Sequence, residues 1–258
     1  MAELFDIAGR SALVTGGSRG IGLMIARGLL QAGARVIVSS RKEDQLREAA
    51  AELAKEGECE AIPADLSSPE GAASLAAAVA ERFPELDILV NNAGATWGAP
   101  LEEFPASGWD RVMHTNVEGI FHLTIALLGS LRAAASEENP ARVINIGSID
   151  GLRTPVTDNY SYSASKAAVH MLTRHLAKRL AGYHITVNAI APGPFPSKMT
   201  AFMLDEPASR EAVEGLVPLG RIGRGDDVAG LTIFLASRAG SYLTGTVIPL
   251  DGGITGCN

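Results

Sequence analysis

The segment Asn159-Tyr160-Ser161-Tyr162-Ser163-Ala164-Ser165-Lys166 runs into an apolar-periodic stretch, Ala167 to Leu180, that reads as a helix. Carried back through the polar segment, a helix puts Tyr162 and Lys166, four residues apart, on one face. A free phenol, with a pKa near ~10, is a poor acid or base at neutral pH, and a nearby ammonium stabilises the phenolate and lowers that value. Such a pair can hand a proton to an oxygen on which negative charge grows as hydride reaches a carbonyl carbon. Ser148, at the end of a predicted strand, can hydrogen-bond the same oxygen and orient it. Tyr160 stands six residues before Lys166, points off the lysine's face, and lines or supports the site at most. A Tyr-x-x-x-Lys spacing alone equally describes packing with a snorkelling lysine, so the surroundings carry the weight.

The first of those surroundings is a glycine turn. Ser11 to Thr15 reads as a strand, Gly16-Gly17-Ser18-Arg19-Gly20-Ile21-Gly22 follows, and a helix from Ile21 to Gln31 ends before Gly33. Glycines let the backbone turn sharply and approach a ligand, and the helix N-terminus offers unpaired N–H groups to a pyrophosphate. The spacing is G-x-x-x-G-x-G, not the commoner G-x-G-x-x-G of dinucleotide sites. At the end of the second strand, where an NAD site usually offers a carboxylate to the ribose, this chain has Ser39-Ser40-Arg41-Lys42. Arg41, joined by Arg19 from the glycine turn, suits a 2′-phosphate and favours NADP(H) over NAD. Glu43 and Asp44 are the nearby alternative partners for these guanidinium groups.

The elements that must position these residues follow a regular rhythm. Ser11–Thr15, Ala34–Ser39, Cys59–Pro63, Asp87–Asn91, Arg142–Ile146, Thr186–Ile190 and Thr246–Leu250 read as strands separated by alanine-rich helical stretches. Several strands are apolar along most of their length, as strands covered on both faces are. The pattern predicts an α/β fold in one domain, residues 1–258: a doubly wound, parallel seven-stranded sheet with right-handed crossovers and helices on both faces. Three stretches break the rhythm: Ser136 to Ala141, Ser148 to Asn159, and Pro192 to Pro218. The last is too long for a connector, and helical pattern within Thr200 to Gly215 predicts a helical lid at about 194–218.

Composition excludes several classes. The 258 residues are 47% hydrophobic and 20% charged, as in an ordinary globular domain. A net charge of -7 with scattered Lys and Arg argues against a nucleic-acid surface. No apolar run reaches the ~18 residues of a membrane span, and no basic-then-apolar leader precedes the first strand, so the expected compartment is the cytoplasm. Cys59 and Cys257 form no CxxC pair, and the five histidines show no metal-ligand spacing, so no metal site is predicted.

Taken together, Thr15-Gly16-x-x-x-Gly20-x-Gly22, Asp65 after the third strand, Asn91-Asn92-Ala93-Gly94 after the fourth, Asn116, Ser148, Tyr162-x-x-x-Lys166 and Pro192-Gly193 resemble the short-chain dehydrogenase/reductase family over essentially the whole chain. The resemblance implies a Rossmann fold and a catalytic set of Asn116, Ser148, Tyr162 and Lys166. It also implies a cofactor-contacting set: Gly16, Ser18, Arg19, Gly20, Ile21, Gly22, Ser40, Arg41, Asp65, Leu66, Asn92, Ala93, Gly94, Tyr162, Lys166, Pro192, Gly193, Phe195 and Ser197. In that reading Asp65 contacts the adenine region and Asn91 stabilises the sheet beside the cofactor. Lys166 also holds the nicotinamide ribose, and Asn116 anchors a water for a proton relay. Ser197 stands where the family often has threonine, and Pro194 and Pro196 stiffen the lid's entry. The resemblance further implies a homotetramer, with Ile254 to Asn258 reaching towards a neighbouring subunit.

Within the family, the stretches Asn91–Pro100, Asn139–Gly147 and Ala191–Thr200 look most like bacterial NADPH-dependent 3-oxoacyl thioester reductases, the rhamnolipid-associated ones among them. The implied substrate is a small-molecule or carrier-linked acyl group on ACP or CoA. A reductase or dehydrogenase of a sugar, polyol, steroid, quinone or other small carbonyl would use the same machinery. A cofactor-sensing binding protein without turnover is the alternative of another class. Trp97, close behind the Asn-Asn-Ala-Gly turn, is placed near the pocket. Arg41 and Arg19 predict that kcat/KM measured with NADPH exceeds that with NADH, and a preference for NADH would refute the assignment of these arginines.

Overall fold

The computed structural model describes residues 2–198 and 200–257; Met199 in the lid entry and the C-terminal Asn258 lie outside the described residues. Seven parallel strands form one sheet: β1 (Ser11–Thr15), β2 (Arg35–Ser40), β3 (Cys59–Pro63), β4 (Ile88–Asn91), β5 (Ala141–Ile146), β6 (Ile185–Pro192) and β7 (Val247–Leu250), in the order β3-β2-β1-β4-β5-β6-β7. Successive side chains of a strand point to opposite faces, and here both faces are apolar. Ala12 and Val14 of β1, Ile88 and Val90 of β4, and Ile144 and Ile146 of β5 enter one core. Leu13, Leu89, Ala141 and Val143, from the alternate positions of the same strands, enter the other.

Helices cover both faces. The chain forms α1 (Gly20–Gln31), α2 (Glu43–Leu53), α3 (Pro69–Arg82), α4 (Ala106–Met113), α5 (Gly119–Ala126), α6 (Leu128–Ala134), α7 (Tyr160–Leu180), α8 (Ala201–Leu204), α9 (Pro207–Gly215) and α10 (Gly225–Ala236). Ile25 and Leu29 of α1, Leu46 of α2 and Val228 of α10 fill the first core. Leu75 of α3, Leu123 of α5, Leu131 of α6 and Leu176 of α7 fill the second. The direction of strand progression reverses between β1 and β4, and in such sheets a crevice opens there at the carboxyl ends of the strands.

The predicted strands are all present, with ends displaced by one or two residues. Asp87 stays outside β4 because its carboxylate accepts hydrogen bonds from the Ser11 backbone N–H and hydroxyl, both at 2.9 Å. The helix that reads as starting at Ala167 begins at Tyr160, so both tyrosines and Lys166 share its first two turns. Its early residues lack an apolar period because Ser161 and Ser165 are the buried ones there. Between α4 and α5, His114–Glu118 forms a π-helical turn that no sequence period announces. In the lid segment the helical pattern resolves into α8 and α9, separated just before Pro207, which opens the second helix. Among the described residues no single helix is long and apolar enough to cross a membrane.

Candidate active site

Two turns at the carboxyl ends of β1 and β4 are tied together by Asn92 and Thr15. The Asn92 carboxamide donates to the carbonyls of Thr15 (2.9 Å) and Gly16 (3.3 Å), and the Thr15 hydroxyl accepts from the backbone N–H of Asn92 (2.9 Å) and Ala93 (3.0 Å). Contact this close requires glycine: a Cβ on Gly22 would lie 2.4 Å from both the Gly16 carbonyl oxygen and the Asn92 amide nitrogen. Gly16 and Gly20 adopt φ of 65° and 54°, in the left-handed region that other residues rarely enter. α1 starts immediately behind, and Arg19 at its N-cap makes no side-chain capping bond, so the turn presents backbone donors and a positive helix end.

The end of β2 completes this cradle. The hydroxyls of Ser39 and Ser40 are buried without a protein partner. Arg19 and Arg41 are exposed and make no side-chain hydrogen bond or ion pair among the described residues, while Glu43, the expected competitor, pairs with Arg47. Unmatched hydroxyls, free guanidinium groups and an uncapped helix start fit the phosphates and ribose of a dinucleotide. Asp65 is exposed beside this region and accepts from the Ser67 N–H at 3.0 Å, with Leu66 buried behind it. Gly193 is packed against Asp251, where a Cβ would lie 2.8 Å from the Asp251 Cβ. Ser197 approaches the glycine turn, 3.1 Å from the position of a Cβ on Gly20, and its hydroxyl is bonded to Thr200. Phe195 turns its ring into the core, 2% exposed and seated over Gly223, so only its backbone faces the crevice.

Tyr162, Lys166 and Ser148 meet beyond β5. Lys166, 5% exposed, donates from Nζ to the Ile146 carbonyl at 2.8 Å, and its Nζ lies 5.4 Å from the Tyr162 ring centre. Burial pushes its pKa down to about 8. The ammonium was expected to lower the Tyr162 pKa as well. Instead burial dominates and pushes the phenol up to about 12, with Ser148 acting in the opposite sense through its hydrogen bond. The lysine, at about 8, gives up its proton well before a phenol at about 12 does, so no ammonium stands beside the phenol as it ionises.

Asn116 lies in the π-helical turn and is fully buried. Its carboxamide accepts from the Ala95 N–H (2.7 Å) and donates to the Ala95 carbonyl (3.0 Å) and the Ser165 hydroxyl (2.9 Å). It thereby pins the loop after β4 onto α7, beside Gly94 and close to Lys166. Asn91 serves the sheet as expected, donating to Thr124 (3.3 Å) and Asn145 (2.9 Å), and Asn145 donates in turn to Thr173 of α7 (2.9 Å).

A cleft of about 470 Å³ is lined by residues 150–160 and Ser163, the segment between Ser148 and the first turn of α7; Tyr162 is not among its lining residues. Tyr160 lines it and donates to Asp158 at 2.8 Å. Trp97, placed near the pocket by its sequence position, packs its indole against Gly108 of α4 and does not line this cleft. Sequence reading missed Asp150 and His170. Asp150 stands two residues after Ser148 and lines the cleft. His170 follows Lys166 by one helical turn and is 3% exposed, wedged against Gly147 and Gly151 on either side of Ser148. The i, i+4 step from Lys166 was the available signal, but nothing in the spacing says that this face is buried.

Comparison with known proteins adds four findings. The family model described as Enoyl-(Acyl carrier protein) reductase matches residues 16–255. The rhamnolipids biosynthesis 3-oxoacyl-[acyl-carrier-protein] reductase of Pseudomonas aeruginosa is 54% identical over 253 residues, covering 98% of this chain and 99% of that protein. The solved RhlG/NADP active-site complex from the same organism superposes with a TM-score of 0.96 at 54% identity, covering 99% of this chain and 100% of that one. Gluconate 5-dehydrogenase of Gluconobacter oxydans is a more distant relative, 34% identical across 98% of this chain and 97% of its own length.

His170 has a consequence for stability. Burial pushes its pKa down from 6.5 to about 4, so the folded chain holds it neutral while the unfolded chain takes up the proton first. Stability is therefore intact above pH 6.5 and is lost as pH falls towards 4, by an amount on the order of 3 kcal/mol from this group. Urea unfolding of wild type and His170→Gln across that window is expected to show a shallower acid loss in the variant; equal slopes would refute the assignment.

Proposed function

Because the chain belongs to the short-chain dehydrogenase/reductase family, we propose that it uses NADPH to reduce the ketone of a 3-oxoacyl thioester, carried on ACP or CoA, to the 3-hydroxyacyl form. The observation that carries this reading is the convergence of Tyr162, Ser148 and Lys166 beyond the end of β5, in a chain 54% identical to a 3-oxoacyl reductase. When bound, the cofactor supplies the hydride that the carbonyl carbon accepts. The turn Gly16–Gly22 and the start of α1 hold its pyrophosphate with backbone N–H groups. Arg41 and Arg19 meet the 2′-phosphate, and the hydroxyls of Ser39 and Ser40, unpartnered within the protein, lie at the same strand end. Asp65 and Leu66 border the adenine, and Lys166 reaches the ribose next to the reacting ring.

The protein's own contribution is a proton at one oxygen. With its pKa pushed up to about 12, Tyr162 is fully protonated at neutral pH, which is the form a reduction consumes. The substrate oxygen becomes an alkoxide, a stronger base than a phenolate, so transfer from Tyr162 runs downhill. Ser148 donates to that oxygen and fixes its position, and Lys166 stabilises the phenolate that remains. Asn116, bonded to Ala95 and Ser165 beside Lys166, marks where protons return from solvent.

A dehydrogenase of a sugar acid or polyol is the second reading, favoured by the 34% identity to gluconate 5-dehydrogenase. A cofactor sensor without turnover is disfavoured by the intact proton-donor geometry. The two thiols, Cys59 and Cys257, are free, as suits a reducing compartment such as the cytoplasm. Phe121 and Ile125 of α5 and Met171 of α7 are exposed, and such apolar side chains on two neighbouring helices support association into a homotetramer.

Steady-state NADPH oxidation with acetoacetyl thioesters against a ketone and polyol panel tests the substrate class. Thioester turnover is expected, and turnover of polyols without thioesters would hand the case to the second reading. Tyr162→Phe is expected to lose about 10²–10⁴-fold in kcat with NADPH binding retained; full activity in this variant would remove Tyr162 from the mechanism. Light scattering on the purified chain is expected to give four copies, and a monomer would end the oligomer proposal.

A further inference from the structure

Asp150 is a carboxylate the mechanism does not use, two residues after the oxygen-orienting Ser148. It belongs to the short turn Ile149–Gly151, it is half-buried, and it lines the 470 Å³ cleft together with Tyr160 and Ser163. The turn holds it firmly: its backbone N–H donates to the Ser148 hydroxyl at 3.1 Å, and its Oδ2 accepts from the Asn159 carboxamide at 3.3 Å. Oδ1 makes no hydrogen bond among the described residues. The carboxylate therefore keeps a free acceptor within the turn that carries the oxygen-orienting serine.

Its field reaches the reacting groups. The Asp150 charge raises the pKa of both Tyr162 and Lys166. Two cations act on it in return, Lys166 from α7 and Arg153 from the residues that follow its own turn. Neither forms an ion pair with it among the described residues: Lys166 donates to the Ile146 carbonyl, and Arg153 lies exposed where the cleft adjoins a second cavity of about 520 Å³. The other carboxylate lining the cleft, Asp158, is exposed and bonded to the Tyr160 hydroxyl. A ligand whose ketone is held by Ser148 and Tyr162 thus lies against the turn that carries Asp150, whose backbone N–H is bonded to the Ser148 hydroxyl at 3.1 Å. A second negative charge there meets repulsion at short range with little water to screen it.

The geometry points to Asp150 as a specificity-determining residue that admits neutral 3-oxo esters and thioesters and excludes the corresponding free 3-oxo acids. This rests on the proposed ketone reduction and sharpens it. A thioester masks the carboxyl two carbons from the ketone, whereas free acids, and sugar acids of the gluconate type, expose theirs. The same residue therefore bears on the sugar-acid branch of the second reading and not on neutral polyols.

The test compares methyl acetoacetate with acetoacetate, which differ at the carboxyl by one methyl group and one charge, by NADPH oxidation in wild type and Asp150→Asn. Asparagine keeps an acceptor for Asn159 while removing the charge. Wild type is expected to favour the ester by at least about tenfold in kcat/KM, and the variant to reduce that preference by about tenfold through faster use of the acid. Asp158→Asn serves as the control and is expected to leave the ratio unchanged. Equal use of ester and acid by wild type, no turnover of the ester, or a ratio unchanged in Asp150→Asn would each overturn the inference. The wild-type comparison needs no variant to fold. Failure of acetoacetyl thioesters alone, with the ester still reduced, would instead strike the thioester reading and leave the ester-to-acid ratio to decide this one.

Discussion

A buried ammonium on a strand-end carbonyl organises this site. Lys166 donates to the Ile146 carbonyl at the carboxyl end of β5, which gives its ammonium a partner where burial works against the charged form. The bond needs a strand that ends at the right height, a long helix alongside it, and nothing bulky between them. Parallel pairing with β4 and β6 sets the strand's height, and α7, running for 21 residues from Tyr160, supplies the helix. Tyr162 then stands beside Lys166 because it shares the lysine's face one turn earlier.

Polar groups inside the sheet keep that arrangement single. Asn91, Asn145 and Thr173 form a buried chain from β4 through β5 to α7, and Asn116 joins the loop after β4 to the same helix through Ser165. Each member of this chain has a partner, so a shifted helix would leave several unsatisfied at once, at about 1–3 kcal/mol apiece. Arg142, 1% exposed, does similar work at the other end of β5, donating to the carbonyls of Pro140, Leu235 and Ser237. The unmatched hydroxyls of Ser39 and Ser40 lie outside this network, at the edge of the glycine cradle.

Electrostatics around the proton donor are set by burial more than by pairing. The phenol is pushed up and the ammonium down, and Asp150 opposes the second effect while reinforcing the first. The site is thereby biased to hold its proton until an alkoxide draws it off. His170, neutral beneath the Ser148 turn, supports that turn by shape rather than charge.

The sequence by itself determined the strands, their parallel order as an expectation, the glycine turn and the Tyr162–Lys166 pair, because each is encoded in local spacing: period two, period 3.6, or glycine where φ is positive. Ser148 and Arg41, by their strand-end positions, and Asn116, by the family resemblance, stand as expectations for the site. Only the tertiary structure decided how those groups titrate. Whether Lys166 faces Tyr162 or the Ile146 carbonyl depends on a strand that ends twenty residues earlier in the chain. The same holds for Phe195, drawn into the core by Gly223, for Trp97, drawn onto α4, and for Asp150, whose place in the cleft follows from the path of its turn. Local pattern specifies which face a residue takes, whereas desolvation and charge depend on what long-range packing brings against that face.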